Sequence, residues 1–183
     1  GSIVVASNLV PWTITVHMLL ALVIIALQLY LIRLISPVYS INSVQQKWMK
    51  VLIWICFVIT FYQMFLGTQV RESIDELSKI GYGREAWTDK LGMPFYIHRS
   101  FSWLVLVLIV IIAWKNEQHQ KLNSIRAVFL ILCLELLSGI LLAHIDMPGL
   151  VQTSHLIFAT ILFGILTMLV FRSRTATNVT LKV

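Results

Sequence analysis

The pattern of apolar and polar positions divides the chain into long apolar runs separated by short polar segments. Each run has roughly 20 residues, enough to cross a hydrocarbon core of about 30 Å at about 1.5 Å per helical residue. An open strand in lipid would leave backbone groups unpaired, so each run is predicted to be a helix. The runs cover approximately residues 12–35, 48–70, 95–114, 126–146 and 150–172. The sequence therefore predicts an all-α integral membrane protein with five transmembrane helices, the last four forming an antiparallel four-helix bundle.

Composition agrees with this class. The 183 residues are 58% hydrophobic and only 12% charged, whereas soluble domains are about a quarter charged. Lys and Arg outnumber Asp and Glu by 14 to 8, but no basic stripe is interleaved with exposed aromatic residues, as a nucleic-acid surface would require. We therefore expect a lipid bilayer and no nucleic acid among its partners.

The positive charges collect in alternate connections. One side of the predicted membrane carries a single acid, Glu117, and the basic residues Arg33, Lys47, Lys50, Lys115, Lys121, Arg126, Arg172, Arg174 and Lys182. The other side has nearly balanced charges, with Arg71, Lys79, Arg84, Lys90 and Arg99 against Glu72, Asp75, Glu76, Glu85, Asp89 and Asp146. The positive-inside rule makes the first side cytoplasmic, so the amino terminus of this chain is expected outside and the carboxyl terminus inside a bacterial cytoplasmic membrane.

The longest polar segment is the outer connection, residues 71–94. Its apolar spacing predicts a short amphipathic helix lying at the membrane interface and broken by Gly81, Gly83 and Gly92. Its charges indicate either a solvated face, the favoured interpretation, or a docking surface for a partner.

Three histidines lie inside apolar runs, at similar distances from the outer end. His17, His98 and His155 are on the first, third and fifth runs, which cross in the same direction. Polar residues at this depth are costly and mark function. The third and fifth helices of such a bundle are diagonal neighbours, so His98 and His155 are expected to face each other and could ligate heme iron from both sides. The alternative is that each is a hydrogen-bonded core residue.

A repeat accompanies these histidines. Gln63 precedes Gly67 by four residues on the second run, as Glu135 precedes Gly139 on the fourth, and a histidine helix follows each time. Glu135 could be a proton relay or a polar brace, and the neutral Gln63 at the equivalent position favours the brace.

Other polar residues near the histidines have two interpretations. Arg99 could contact a heme propionate or extend to lipid headgroups. His144 is predicted to lie in a loop and His119 to be solvated.

These features together resemble the heme A synthase family, whose members consist of two fused four-helix bundles with histidine-bearing helices. The resemblance rests on residues 12–20, 63–71, 74–75, 96–99, 135–139 and 151–155. It implies conversion of heme O to heme A, the cofactor of heme-copper oxidases. In that family, two histidines of the carboxy-terminal bundle ligate heme b, and they correspond to His98 and His155. A histidine that ligates the substrate heme corresponds to His17.

The resemblance also predicts how this chain is divided. Residues 1–36 correspond to the last transmembrane helix of an otherwise absent amino-terminal bundle, and residues 47–175 to the carboxy-terminal bundle, so this part alone is expected to be inactive. Heme O synthase and heme-copper oxidase subunits are the implied partners, and a homo-oligomer is left open. Two alternatives remain: a bis-histidine b-type cytochrome linked to quinol, and a non-catalytic oxidase assembly subunit.

Overall fold

Helices make up the regular structure of the part of the chain that the computed structural model describes: residues 2, 6, 10–35, 47–119 and 121–174. The helices are α1 (Pro11–Ile35), α2 (Lys47–Ile80), α3 (Trp87–Lys90), α4 (Met93–Gln118), α5 (Asn123–His144) and α6 (Gly149–Arg174), with one 3-10 turn (Arg84–Ala86) before α3. Five of them are long and apolar enough to cross a membrane. The predicted all-α membrane class and its five spans are confirmed. The predicted boundaries at residues 36 and 175, and Lys182, lie outside the described residues.

Four helices pack in a ring. α2 contacts α4 and α6, and α5 contacts the same two helices, so α4 and α6 lie opposite each other. The end with the α4–α5 turn is called the inner end here, and the opposite end the outer end. Asn116 closes the inner turn: fully buried, its side chain accepts a hydrogen bond from the Leu122 N–H at 2.8 Å and donates one to the Leu122 carbonyl at 3.2 Å.

The apolar core fills only the inner half of the ring. Met49, Ile53, Ile109 and Ile125 are completely buried there, and Leu166 nearly so. These residues come from the first two turns of α2 and α5 and the last three turns of α4 and α6. The polar and small residues of the repeat lie in the outer half.

Helix α1 lies outside the ring, against α6 and α2. Most of its surface is exposed, and Trp12 is 66% exposed. Polar contacts hold its outer end, where Thr15 Oγ1 lies 2.6 Å from Glu72 Oε1 and 3.0 Å from Thr68 Oγ1. The assignment of α1 to a separate amino-terminal bundle stays a prediction.

The outer connection differs from the sequence prediction. Residues 71–80 do not form a separate interfacial helix but continue α2 without a break to Ile80, where Gly81 adopts a φ of 93°. The apolar face of this extension packs on protein: Ile74, Trp87, Leu91 and Met147 form a second buried cluster, the outer cap. The apolar face predicted for a separate helix thus packs against Met147 of the α5–α6 turn.

Candidate heme-binding site

The imidazoles of His98 and His155 face each other across the outer half of the ring. Their ring centroids are 6.4 Å apart and their planes are inclined by 79°. His98 is in the second turn of α4 and His155 in the second turn of α6, and these two helices are opposite members of the ring. Both side chains are partly buried.

A glycine on the preceding helix supports each ring. A Cβ placed on Gly67 would lie 3.4 Å from Cε1 of His98, and one placed on Gly139 would lie 3.3 Å from Cε1 of His155. The two contacts are nearly identical, so the four-residue spacing of the repeat has a structural explanation. Each helix of the polar-x3-Gly type provides the flat surface on which the next histidine rests.

The Nδ1 atom of His155 is surrounded by oxygen atoms of α5. Ser138 Oγ lies 2.9 Å away, the Glu135 carbonyl oxygen 3.2 Å and the Glu135 Oε1 also 3.2 Å. The second carboxyl oxygen of Glu135 is buried without a hydrogen bond. A histidine held in this way through one ring nitrogen is typical of metal ligands, which use the other nitrogen for the metal.

His98 is supported through its backbone. The Gln63 side-chain amide donates a hydrogen bond to the His98 carbonyl at 2.8 Å, while Gln63 Oε1 is buried and makes none. The Nδ1 atom of His98 is also buried without a hydrogen bond. Leu66, 6% exposed, occupies the position that Ser138 has in the other half of the repeat.

His98 and His155 are the residues that would hold a heme iron. Two imidazoles that ligate one ion from opposite sides at about 2 Å each place their ring centroids roughly 6 Å apart, close to the 6.4 Å found here. No group of three or more His, Cys, Asp or Glu residues that could hold a metal ion occurs in the described ranges. A two-histidine set suits an iron whose other four ligands come from a macrocycle.

The family model for cytochrome oxidase assembly proteins, COX15-CtaA, matches residues 1–167. The chain belongs to this heme A synthase family. Comparison with curated proteins and with solved structures gave no match. Membership of the heme A synthase family confirms the resemblance seen in the sequence and a role in cytochrome oxidase assembly.

The third intramembrane histidine of this heme A synthase family member is not part of the facing pair. His17 is exposed on α1 and lines an apolar groove of about 250 Å³ between α1, α2 and α6, together with residues such as Met64, Thr68 and Leu156. Arg99 is exposed on α4, one residue after His98. The roles predicted for His17 and Arg99 stay predictions.

The remaining histidines lie apart from the pair. His144 is not in a loop, as the sequence suggested, but is the last residue of α5, where its Nδ1 lies 2.9 Å from the Ile140 carbonyl oxygen. It is exposed, as is His119, whose ring packs edge-on against Trp48.

Sequence reasoning missed two features of this heme A synthase family member. Ser138, next to Gly139, was not recognised as a partner of His155, although comparing it with Leu66 in the repeat could have shown that the two halves differ. The contact of Glu72 with Thr15 was also missed, because residues so distant in sequence are brought together only by the packing of α1 on α2.

Proposed function

We propose that the chain is the carboxy-terminal part of a heme A synthase, which oxidises a methyl group of heme O to the formyl group of heme A for heme-copper oxidases. In this proposal, His98 and His155 would hold a heme b, whose chemistry would be the passing of electrons to the oxidation. One observation carries it: two imidazoles oppose each other at 6.4 Å inside the ring, each resting against a glycine of the repeat.

The roles follow from what each residue can do. A bis-histidine heme b, when bound, supplies one-electron transfer. His98 and His155 orient it, and the buried apolar inner half of the ring keeps water away from that side. In the proposal, Arg99 pairs with a propionate. His17, on the helix outside the ring, ligates the substrate heme, so the oxidation itself takes place on the α1 side.

The first test measures the heme content of the purified chain by its pyridine hemochrome spectrum. We expect a b-type spectrum that largely disappears in the double variant His98→Ala/His155→Ala. The matched control is His119→Ala/His144→Ala, which removes two exposed histidines and should leave the spectrum unchanged. An unaltered spectrum in the first variant would reject the proposed ligands.

The second test separates the activity from the two alternatives. Heme A formation from supplied heme O, measured with the full-length protein, supports the synthase. A protein that keeps the b-type heme and is reduced by quinol, yet forms no heme A, would be a membrane cytochrome instead. A colourless protein would indicate a non-catalytic assembly subunit.

Interaction with heme O synthase and with oxidase subunits is part of the proposal, since the family assembles cytochrome oxidase. Co-purification of a tagged full-length protein with these two partners tests it, with an unrelated membrane protein of similar size as the control.

A further inference from the structure

The hydrogen bonds around His155 define which of its ring nitrogens carries the proton. The Ser138 hydroxyl donates to the Glu135 carbonyl at 2.8 Å, so its oxygen acts as an acceptor toward Nδ1 of His155, 2.9 Å away. The Glu135 carbonyl can only accept, and it lies 3.2 Å from the same nitrogen. The proton is therefore on Nδ1, and Nε2 keeps the lone pair that a metal needs.

His98 has no equivalent set of acceptors. Nδ1 of His98 is buried without a hydrogen bond. The side chain of Gln63 is turned to the His98 backbone, and Leu66 replaces the serine hydroxyl. The glycine contacts of the two halves match, whereas their polar contacts do not.

We propose that Glu135 and Ser138 are positioning residues that make His155 the stronger and pre-oriented ligand of the pair, with His98 the weaker one. This inference rests on the proposed heme b site. It adds that the two histidines differ in their strength as ligands. The physical reason is that a hydrogen bond accepted from the second ring nitrogen fixes the orientation of an imidazole and raises its basicity as a ligand.

The difference in ligand strength between His155 and His98 has two measurable consequences. A more basic ligand favours the oxidised iron, so removing the acceptors of His155 raises the reduction potential of the heme. Replacing the Glu135 carboxylate and the Ser138 hydroxyl also leaves His155 oriented mainly by the backbone carbonyl of residue 135, which lowers heme affinity by about 10- to 100-fold, the usual effect of losing such support.

The experiment exchanges the polar residues of the two halves. The first variant, Glu135→Gln/Ser138→Leu, places in α5 the residues found at the equivalent positions of α2. The second variant, Gln63→Glu/Leu66→Ser, makes the reverse exchange in α2. Redox titration of the bound heme should show a raised potential in the first variant and a lowered one in the second. Ser138→Ala is a milder change that keeps the carbonyl and carboxyl acceptors, so it should retain heme and show a smaller rise.

The possible results distinguish the role of Glu135 and Ser138 from the proposed heme site itself. Wild-type potential and heme retention in the first variant would overturn the role of Glu135 and Ser138 while leaving the heme site intact. Heme loss from a first variant that stays monodisperse, together with a raised potential in Ser138→Ala, supports it. Absence of heme from the wild-type chain, or its retention in His98→Ala/His155→Ala, would instead reject the proposed function.

Discussion

A glycine that faces a histidine ring determines how far the ring can move toward its helix. Gly67 and Gly139 have this role: an added Cβ would lie 3.4 Å from an imidazole carbon at Gly67 and 3.3 Å, closer than ordinary contact, at Gly139. Sequence comparison of the two halves of the repeat revealed the spacing and the two histidines, but not the contact itself. Which atom a glycine makes room for depends on helix rotation, and residue types alone do not define helix rotation.

The Gly139→Ala variant tests this contact. The added methyl group would lie 3.3 Å from Cε1 of His155, so the ring must shift by a few tenths of an ångström. We expect heme content to fall by up to about 10-fold, the lower end of the effect typical for groups that support a metal ligand. Hemochrome content per protein measures it. Gly164→Ala is the control, because its Cβ would lie 3.8 Å from Leu29 and touch neither histidine; equal losses in both variants would contradict the prediction.

At the scale of helices, α1 is attached to the ring through polar and aromatic contacts. Thr15, 7% exposed, contacts Glu72 and Thr68 of α2, and Tyr30 packs edge-on against Phe171 of α6. The apolar pattern predicted α1 as a helix, yet nothing in it indicated that the charged extension of α2 would hold that helix. Glu72 was interpreted as part of a solvated face, because its partner lies on a different apolar run.

Replacing Thr15 by Val removes the hydroxyl and keeps the shape. Hydrogen bonds between membrane helices contribute about 1 kcal/mol, so the free energy of unfolding in mixed micelles should fall by about that amount. Thr160→Val is the matched control, because its hydroxyl bonds to the Leu156 carbonyl of its own helix. Heme b content should stay unchanged in both variants, since α1 lies outside the ring; loss of heme b from Thr15→Val would show that α1 supports that site.

The outer cap depends on Arg84. Its guanidinium donates a hydrogen bond to the Met147 carbonyl at 2.7 Å and lies over the Trp87 ring at 5.4 Å. Arg84→Met should cost about 1.4 kcal/mol of local stability and so raise the rate of chymotrypsin cleavage within residues 81–92 about 10-fold. The exposed Glu76 provides a control, Glu76→Gln. Similar cleavage rates in the two variants would contradict a holding role for Arg84.

For the whole molecule, the number and order of the membrane helices could be predicted from the apolar runs, because a span in lipid must be apolar and helical. The end of α2 could not. Residues 71–80 are polar enough to leave the membrane but contain no helix breaker, and the outer cap that buries Ile74 is assembled from segments far apart in sequence. That His98 and His155 face each other could be predicted from the diagonal placement of their helices, whereas the hydrogen bonds of His155 required coordinates.

The orientation of the chain is a prediction that labelling can check. In a Cys56→Ala/Cys133→Ala background, Glu85→Cys lies in the outer connection and Gln118→Cys at the inner end of α4. A membrane-impermeant maleimide added to intact cells should label position 85 and not position 118, as the positive-inside rule requires. Permeabilised cells, in which both positions should react, are the control. The reverse labelling pattern would invert the assigned topology.

The unbroken length of α2 has a mechanical consequence. Its 34 residues rise about 51 Å at about 1.5 Å per residue, whereas the hydrocarbon core is about 30 Å thick. The helix is therefore long enough to cross the lipid and continue into the outer cap. Long helices bend only gently unless a proline, a bulge or an inserted group kinks them. A displacement of the outer cap would therefore tilt α2 and move Gly67 against the imidazole of His98.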